Sequence, residues 1–328
     1  MASIAGDAPV VRTRTIVDVD GLGAAITDDL ATECVQLESK PFVAQHVVVT
    51  LPRMVVQFVG EDVAVARRIR VPDGKWLFLV PLVVTESARW NARRVAMNNL
   101  FVHAPGSECF AFDPAGTRFA LISVAEGSDL AVCARTVLTD GIGECTLVAH
   151  SHDARALRRE LDLVRAWAST VPGVDEIHHA TAALDTAMRR AMKSQQYVYK
   201  SADHKGVVRR AEDFFRRHIG ERVSTARLSS AARVSERQLR NAFYGVYAIS
   251  PIRYLRLWQL HQARRALRSR VDRAVSVTDV ATSHGFYELG RFAVEYKALF
   301  GESPSKTLGH RPWAASRVSA PSSSWVER

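Results

Sequence analysis

Cysteine is scarce in this chain, and metal-binding spacings are missing from it. The 328 residues hold four cysteines, Cys34, Cys109, Cys133 and Cys145, and no two form a C-x-x-C pair. That spacing supports neither a zinc site nor a disulfide framework, so buried thiols in a reducing compartment are expected. Long apolar runs are also missing. The longest, Trp76 to Val84, is nine residues and contains Pro81, where a membrane helix needs about 20. Met1 to Asp20 has no apolar stretch and carries Asp7, Arg12, Arg14 and Asp18, so no signal peptide is expected. These absences point to a cytoplasmic protein with no membrane partner.

Acidic residues are scarce only in the last third. Residues 205–328 carry 23 Lys/Arg against 10 Asp/Glu, whereas residues 1–150 carry 13 against 17. A basic segment beside an acidic one suggests that the basic one meets a polyanion, although a solvated basic face gives the same count.

Residues 30–150 read as β. Val47 to Leu51, Met54 to Val59, Val63 to Ala66 and Trp76 to Val80 are short and rich in β-branched residues. Turn signals at Gly60, Pro72-Asp73-Gly74 and Asp113-Pro114 separate such runs. Many short strands at close spacing fit a barrel or a sandwich. Trp76, Phe78, Trp90, Phe101, Phe110 and Phe112 are candidates either for its core or for lining a ligand cavity.

Residues 153–200 turn helical. Leu157, Leu161, Val164 and Ala168 form one apolar stripe, and Ala180, Leu184, Ala187 and Ala191 a second. Two placements fit: packing onto the β-rich part, or a homodimer interface.

From Lys205 onward the pattern is helical, and two helix-turn-helix units follow in tandem. In the first, Ser235 and Gln238 have capping-box spacing, which sets where the second helix begins. Leu239, Ala242, Phe243 and Val246 share its inner face. Arg237, Gln238, Arg240, Asn241 and Tyr244 fall outside it. Arg pairs bidentately with guanine, and Asn or Gln with adenine. An ordinary solvated face carries Glu and Lys instead, and this face is short of both. The second unit repeats the spacing with Ser276 and Asp279, places Gly285 in its turn, and uses Val280, Ala281, Phe286, Phe292 and Tyr296 as core. Its reading helix shows Glu288, Leu289, Gly290, Arg291, Val294 and Lys297. Only Arg291 is an evident base reader. Lys297 suits a phosphate, and Glu288 suits a helix N-terminus.

A helix from Pro251 to Ser269 joins the units. At ~1.5 Å per residue it spans roughly 28 Å, close to the ~34 Å between successive major grooves on one face of DNA. Arg253, Arg256, Arg264, Arg265, Arg268, Arg270 and Arg273 surround it. Some are expected on phosphates and others to bury only their stems.

Taken with Leu239 and Phe243, the residues Ser250-Pro251, Tyr254-Leu255, Leu260, Ala263-Arg264 and Leu267 carry a family pattern. So do Gly285-Phe286, Phe292, Tyr296-Lys297, Phe300-Gly301 and Ser303-Pro304. Together they resemble the AraC/XylS family of transcriptional regulators over residues 205–312. Within it, Phe292-Ala293, Tyr296 and the run Ser303 to Leu308 are most similar to the branch of the ethanolamine-operon activator. The resemblance implies DNA-contacting positions at Arg237, Gln238, Arg240 and Asn241, and at Glu288, Leu289, Gly290, Arg291 and Val294. Two departures stand out. Arg233 stands where the first turn often has Gly, and Leu289-Gly290 replaces polar readers, which suggests a second helix that positions more than it specifies.

The expected architecture is a multidomain α+β chain. A cupin-like β-barrel or sandwich for sensing or dimerisation occupies residues 1–152, with a helical connector at 153–204. An all-α DNA-binding domain follows at 205–312, with a disordered tail at 313–328. The expected function is sequence-specific transcription regulation on the nucleoid, as an activator working with RNA polymerase and controlled by a small-molecule effector. The main alternative keeps the reader and makes the N-terminal part a ligand-free dimerisation or partner module. A more remote one is a cupin-type metal enzyme fused to a reader. It would draw on His46, His103, His150 and His152, but no His-x-His…Glu spacing lies on a strand. No catalytic residue, metal site or cofactor is expected.

Overall fold

The computed structural model describes residues 11–27, 30–138, 144–194, 197–199, 204–269 and 276–309. β1 (Val11–Ile16), α1 (Val19–Thr27) and β2 (Ala31–Gln36) lead into β3 (Ala44–Leu51), β4 (Met54–Glu61), β5 (Val65–Arg70) and β6 (Lys75–Val83). Two short strands, β7 (Arg89–Trp90) and β8 (Arg93–Arg94), precede β9 (Asn99–His103), β10 (Glu108–Asp113) and β11 (Arg118–Ala125). Then come α2 (Asp129–Val137), β12 (Glu144–Val148), α3 (Ser151–Ala166), α4 (Val174–Lys193) and β13 (Tyr197–Tyr199). The rest is helical: α5 (His204–Arg217), α6 (Thr225–Ala232), α7 (Glu236–Tyr247), α8 (Pro251–Ser269), α9 (Val277–Ser283), α10 (Leu289–Phe300) and α11 (Pro304–Gly309).

The strands make two sheets, ordered β1-β3-β4-β11-β6-β9-β12-β13 and β2-β5-β10-β7-β8. Among the described residues every pair of neighbouring strands is antiparallel. Among the described residues neither sheet closes on itself. Of barrel and sandwich, the chain has the sandwich. The expected all-β reading of residues 30–150 misses α2, whose N-cap Ser128 accepts from the Ala131 amide (3.2 Å).

Each sheet is covered on both faces, so side-chain alternation feeds three separate cores. Trp76, Phe78 and Val80 of β6 point outward and pack with Leu157, Leu161, Val164, Leu184, Ala187 and Ala191 of α3 and α4. The connector stripes therefore pack onto the large sheet. Leu77 and Leu79 point inward and meet Cys34, Val65, Trp90, Phe101 and Cys109 between the sheets. Phe110 and Phe112 leave the small sheet on its other side and pack against α5, α7 and α8. The six aromatics proposed as one cavity lining thus divide among three cores.

Buried side chains of both sheets meet in the sandwich interior. Trp90 packs edge-on against Phe101 and Phe119, with centroids at 4.7 and 5.6 Å. A charged group lies among them. Arg67, only 1% exposed, bonds Glu61 and also Asp113 (2.5 Å), and Asp113 accepts from the Trp90 indole (2.7 Å). Burial pushes the Glu61 carboxyl up to about 8 despite the Arg67 charge, with the Asp113 charge adding to the rise. One guanidinium is thus shared by two carboxyls, both pushed up by burial. Buried pairs of this kind contribute little net stability, but breaking one costs about 3–5 kcal/mol.

Candidate nucleic-acid interface

The first helix-turn-helix unit is shaped by its caps. Ser224 opens α6 by accepting from the Arg227 amide (3.2 Å). The turn then passes through Arg233, which takes the left-handed conformation at φ 57° that glycine adopts more readily. At the start of α7, Ser235 Oγ accepts from the Gln238 amide (3.2 Å), and Gln238 Oε1 accepts from the Ser235 amide (2.9 Å). Leu239, Ala242, Phe243 and Val246 are buried, while Arg237, Gln238, Arg240, Asn241 and Tyr244 are exposed. These five side chains are not equally available. Gln238 has its Oε1 on the cap, which leaves its amide NH₂ outward. Arg240 is paired with Glu236 (3.1 Å) one turn back. Among the described residues no ion pair engages Arg237.

The second unit repeats the plan. Ser276 and Asp279 form the reciprocal box at 3.1 and 2.9 Å. The Ser276 hydrogen bonds, side chain first, hold the Asp279 carboxyl below its usual range. Gly285 turns the chain at φ 85°. Val280, Ala281, Phe286, Phe292 and Tyr296 are buried, and Leu289, Gly290, Arg291, Val294 and Lys297 are exposed along α10. Glu288 is the N-cap residue, and its side chain makes no cap bond. Arg291 donates through Nε to Glu295 (2.8 Å), which also accepts from Arg256 (2.6 Å).

The two units are held rigidly together. α8 covers Pro251–Ser269, the span expected from the sequence. Arg256 ties it to α10 through Glu295 and lies 4.1 Å above the Phe286 ring. The loop after α5 also abuts the second unit. Tyr287 donates its hydroxyl to the Gly220 carbonyl (2.5 Å), and Gly220, at φ 92°, leaves no room for a Cβ, which would lie 2.7 Å from the Ser283 oxygen.

Several arginines expected on phosphates are engaged elsewhere. Arg265 bonds Asp20 (2.7 Å) and Arg268 bonds Asp18 (3.2 Å), both around α1. Arg264 is buried over Phe300 and near Glu302. The charged heads of Arg265 and Arg268, not just their stems, are thus engaged by protein, whereas the buried Nε of Arg264 has no hydrogen-bond partner among the described residues. Arg253 is exposed, and Arg270 and Arg273 lie outside the described residues. The sequence also concealed a whole inter-domain junction. Glu33 on β2 accepts from Trp258, Gln262, Arg265 and Arg216. Arg68 reaches Glu212 (3.0 Å) and Asp213 (3.2 Å) of α5. His261 is buried and accepts the Gln36 amide on Nε2 (3.0 Å). The only advance signal was an excess of arginine facing acidic residues far away in sequence.

The histidines proposed for a metal lie in different settings. His46 bonds Gln57 (2.8 Å), His103 lies 3.5 Å from Asn91, His150 is the N-cap of α3 and His152 is exposed beside Asp153. The described residues hold no cluster of three or more His, Cys, Asp or Glu suited to a metal. No described helix is long and apolar enough to cross a membrane.

Two capped helix-turn-helix units on one connecting helix, each with its second helix outward, define a tandem helix-turn-helix DNA-binding domain. Comparison with known proteins specifies it. Residues 228–310 match the family model "Helix-turn-helix domain". The probable thc operon regulatory protein of Rhodococcus erythropolis is 30% identical over 173 residues, 47% of this chain and 52% of that protein. The XylDLEGF operon transcriptional activator of Pseudomonas putida is 35% identical over 99 residues, 30% of this chain and 31% of that protein. A solved structure of a probable AraC family transcriptional regulator from Rhodopseudomonas palustris is 31% identical, covering 31% of this chain and 94% of that one, at a TM-score of 0.29. The chain thus spans about half or less of the curated relatives it matches. The C-terminal part of this chain carries a helix-turn-helix domain similar to those of AraC/XylS-type regulators.

Proposed function

We propose that this chain is a sequence-specific DNA-binding transcription factor of the bacterial cytoplasm, acting as an activator and controlled through its N-terminal domain. The observation that carries this reading is the pair of solvent-facing helices α7 and α10, held on a single 19-residue helix. That spacing suits adjacent major grooves on one DNA face without a second subunit. α7 is the hydrogen-bonding reader, with Arg237 and Asn241 foremost. Selection of genomic fragments with the full chain, followed by titration of wild type and Arg237→Ala, tests it. Loss of one bidentate contact is worth about 1–3 kcal/mol, or roughly 5- to 150-fold in affinity. Equal affinity of both proteins for selected and scrambled DNA would overturn the reading.

A small-molecule effector in the N-terminal domain is one route of control. The contacts of Trp90 with Phe101 and Phe119 inside the sandwich favour the other, in which the domain is a dimerisation or partner module. Sedimentation of the purified chain separates them: a concentration-dependent dimer supports the module, and a monomer with a ligand-raised melting temperature supports the effector.

A further inference from the structure

The second reading helix presents carbon where the first presents nitrogen and oxygen. Val294 is 69% exposed and Leu289 39%, both on α10, while the same unit buries Val280, Phe286 and Phe292 completely or nearly so. Exposed valine and leucine side chains at the reading face leave apolar area in water that a partner surface would cover. The polar neighbour on this face is restrained. Arg291 donates to Glu295, Glu295 also accepts from Arg256, and Arg256 lies over Phe286, so Arg291 shares its acceptor with α8. Gly290 lies one turn before Val294, on the same side, and a Cβ there would meet nothing within 4 Å. A base edge therefore has an open approach to the valine methyls.

In the major groove the apolar feature of a base pair is the 5-methyl group of thymine, and apolar side chains read it by contact. We infer that α10 recognises thymine through its 5-methyl group, with Val294 as the main contact and Leu289 at the helix start as the second. Lys297, three residues beyond Val294, suits the flanking phosphate. The two halves of the site are then read by different chemistry, hydrogen bonds under α7 and methyl contact under α10. The inference rests on the DNA-binding reading above and adds the base class to it. It also revises the sequence-based view that the second helix chiefly positions.

The test uses the full chain. Duplexes are enriched from a random pool, and each thymine of the enriched site is replaced in turn by deoxyuridine. That change removes the 5-methyl and leaves the hydrogen-bonding edge intact. Wild type is expected to lose about three- to tenfold at one or two thymines of a single half-site. At the thymine of greatest loss, Val294→Ala is expected to bind thymine and deoxyuridine duplexes alike, at the wild-type level for deoxyuridine, with an unchanged melting temperature. Arg237→Ala should weaken binding yet keep the methyl dependence. An enriched site that wild type binds equally with either base overturns this inference alone, as does full methyl dependence at every thymine surviving in Val294→Ala. Reduced transcription by Val294→Ala without any methyl effect would assign the patch to a protein partner and likewise overturn it. Failure to enrich any sequence overturns the DNA-reading function itself.

Discussion

Glu33 on β2 accepts a hydrogen bond from the Trp258 indole at 2.8 Å across 225 residues of sequence. That carboxylate also takes bonds from Arg216, Gln262 and Arg265, so one acidic group of the N-terminal domain gathers four donors of the DNA-binding domain. Glu33→Ala leaves those donors without their acceptor. Hydrogen bonds to charged groups are worth about 1.5–3 kcal/mol, and a loss of about 2–3 kcal/mol in stability is expected. Amide exchange in β2 and along α8 should quicken in step. Unchanged exchange would show that the carboxylate does not hold the domains together.

The same junction should weaken in acid. Burial, the largest influence on Glu33, pushes its carboxyl up, but the Arg216 and Arg265 charges and the bonds from Arg216 and Trp258 outweigh it and hold it below 4.5. A depressed carboxyl contributes stability above its unfolded pKa and loses it as pH falls through the folded one. Burial lowers the His261 imidazole from 6.5 to about 4. Between those values the unfolded chain takes up a proton that the folded one refuses, so stability again falls with pH. The two groups act in the same direction but in different windows, His261 between about pH 6.5 and 4 and Glu33 only below about 4.5. Glu61, raised to about 8, acts oppositely. The discriminating measurement is therefore the difference between wild type and His261→Gln. Lowering pH from 7 to 5 should cost wild type the larger drop in melting temperature. Equal drops would contradict the buried, neutral state of His261.

Gly220, in the loop after α5, is where that loop touches the second helix-turn-helix unit. Any Cβ there would lie 2.7 Å from the Ser283 carbonyl oxygen, and the residue also sits at φ 92°. Gly220→Ala is expected to cost about 1–3 kcal/mol and to turn the second unit away from the first. Affinity for a two-part DNA site should fall more than affinity for the half under α7. Equal losses on both would show that the orientation of the units is set elsewhere.

Ala248 and Gly301 close α7 and α10 in the same left-handed conformation, at φ 58° and 73°. Alanine carries a strain of about 1–2 kcal/mol there, and glycine returns about 0.4–1 kcal/mol of it through unfolded-chain entropy. Ala248→Gly should therefore raise stability by about 0.5–1 kcal/mol, seen as a higher denaturation midpoint at constant slope. A lower midpoint would mean that the Ala248 methyl has a packing role exceeding the strain.

The helical third was legible because its determinants are local. Ser235 with Gln238 and Ser276 with Asp279 bond within one turn, and the residues that bound α8 and the periodicity of its buried positions are read directly from the chain. The β region was legible only as a class. The run Val63 to Ala66 read as one strand, yet β5 continues through Arg67 and Arg68 to Arg70, and the side chains of those two arginines part to opposite faces. One enters the sandwich core and the other reaches α5.

By itself the sequence determined the tandem units, their caps, the core side of each helix and the residues left to face a partner, because spacing along a helix settles all of these. The tertiary structure alone decided which arginines remain for DNA. Arg265 and Arg268 look as free as Arg237 until Asp20 and Asp18 arrive from the far end of the chain. A charge is satisfied by whatever lies within a few ångströms of it, and that neighbourhood is set by the fold.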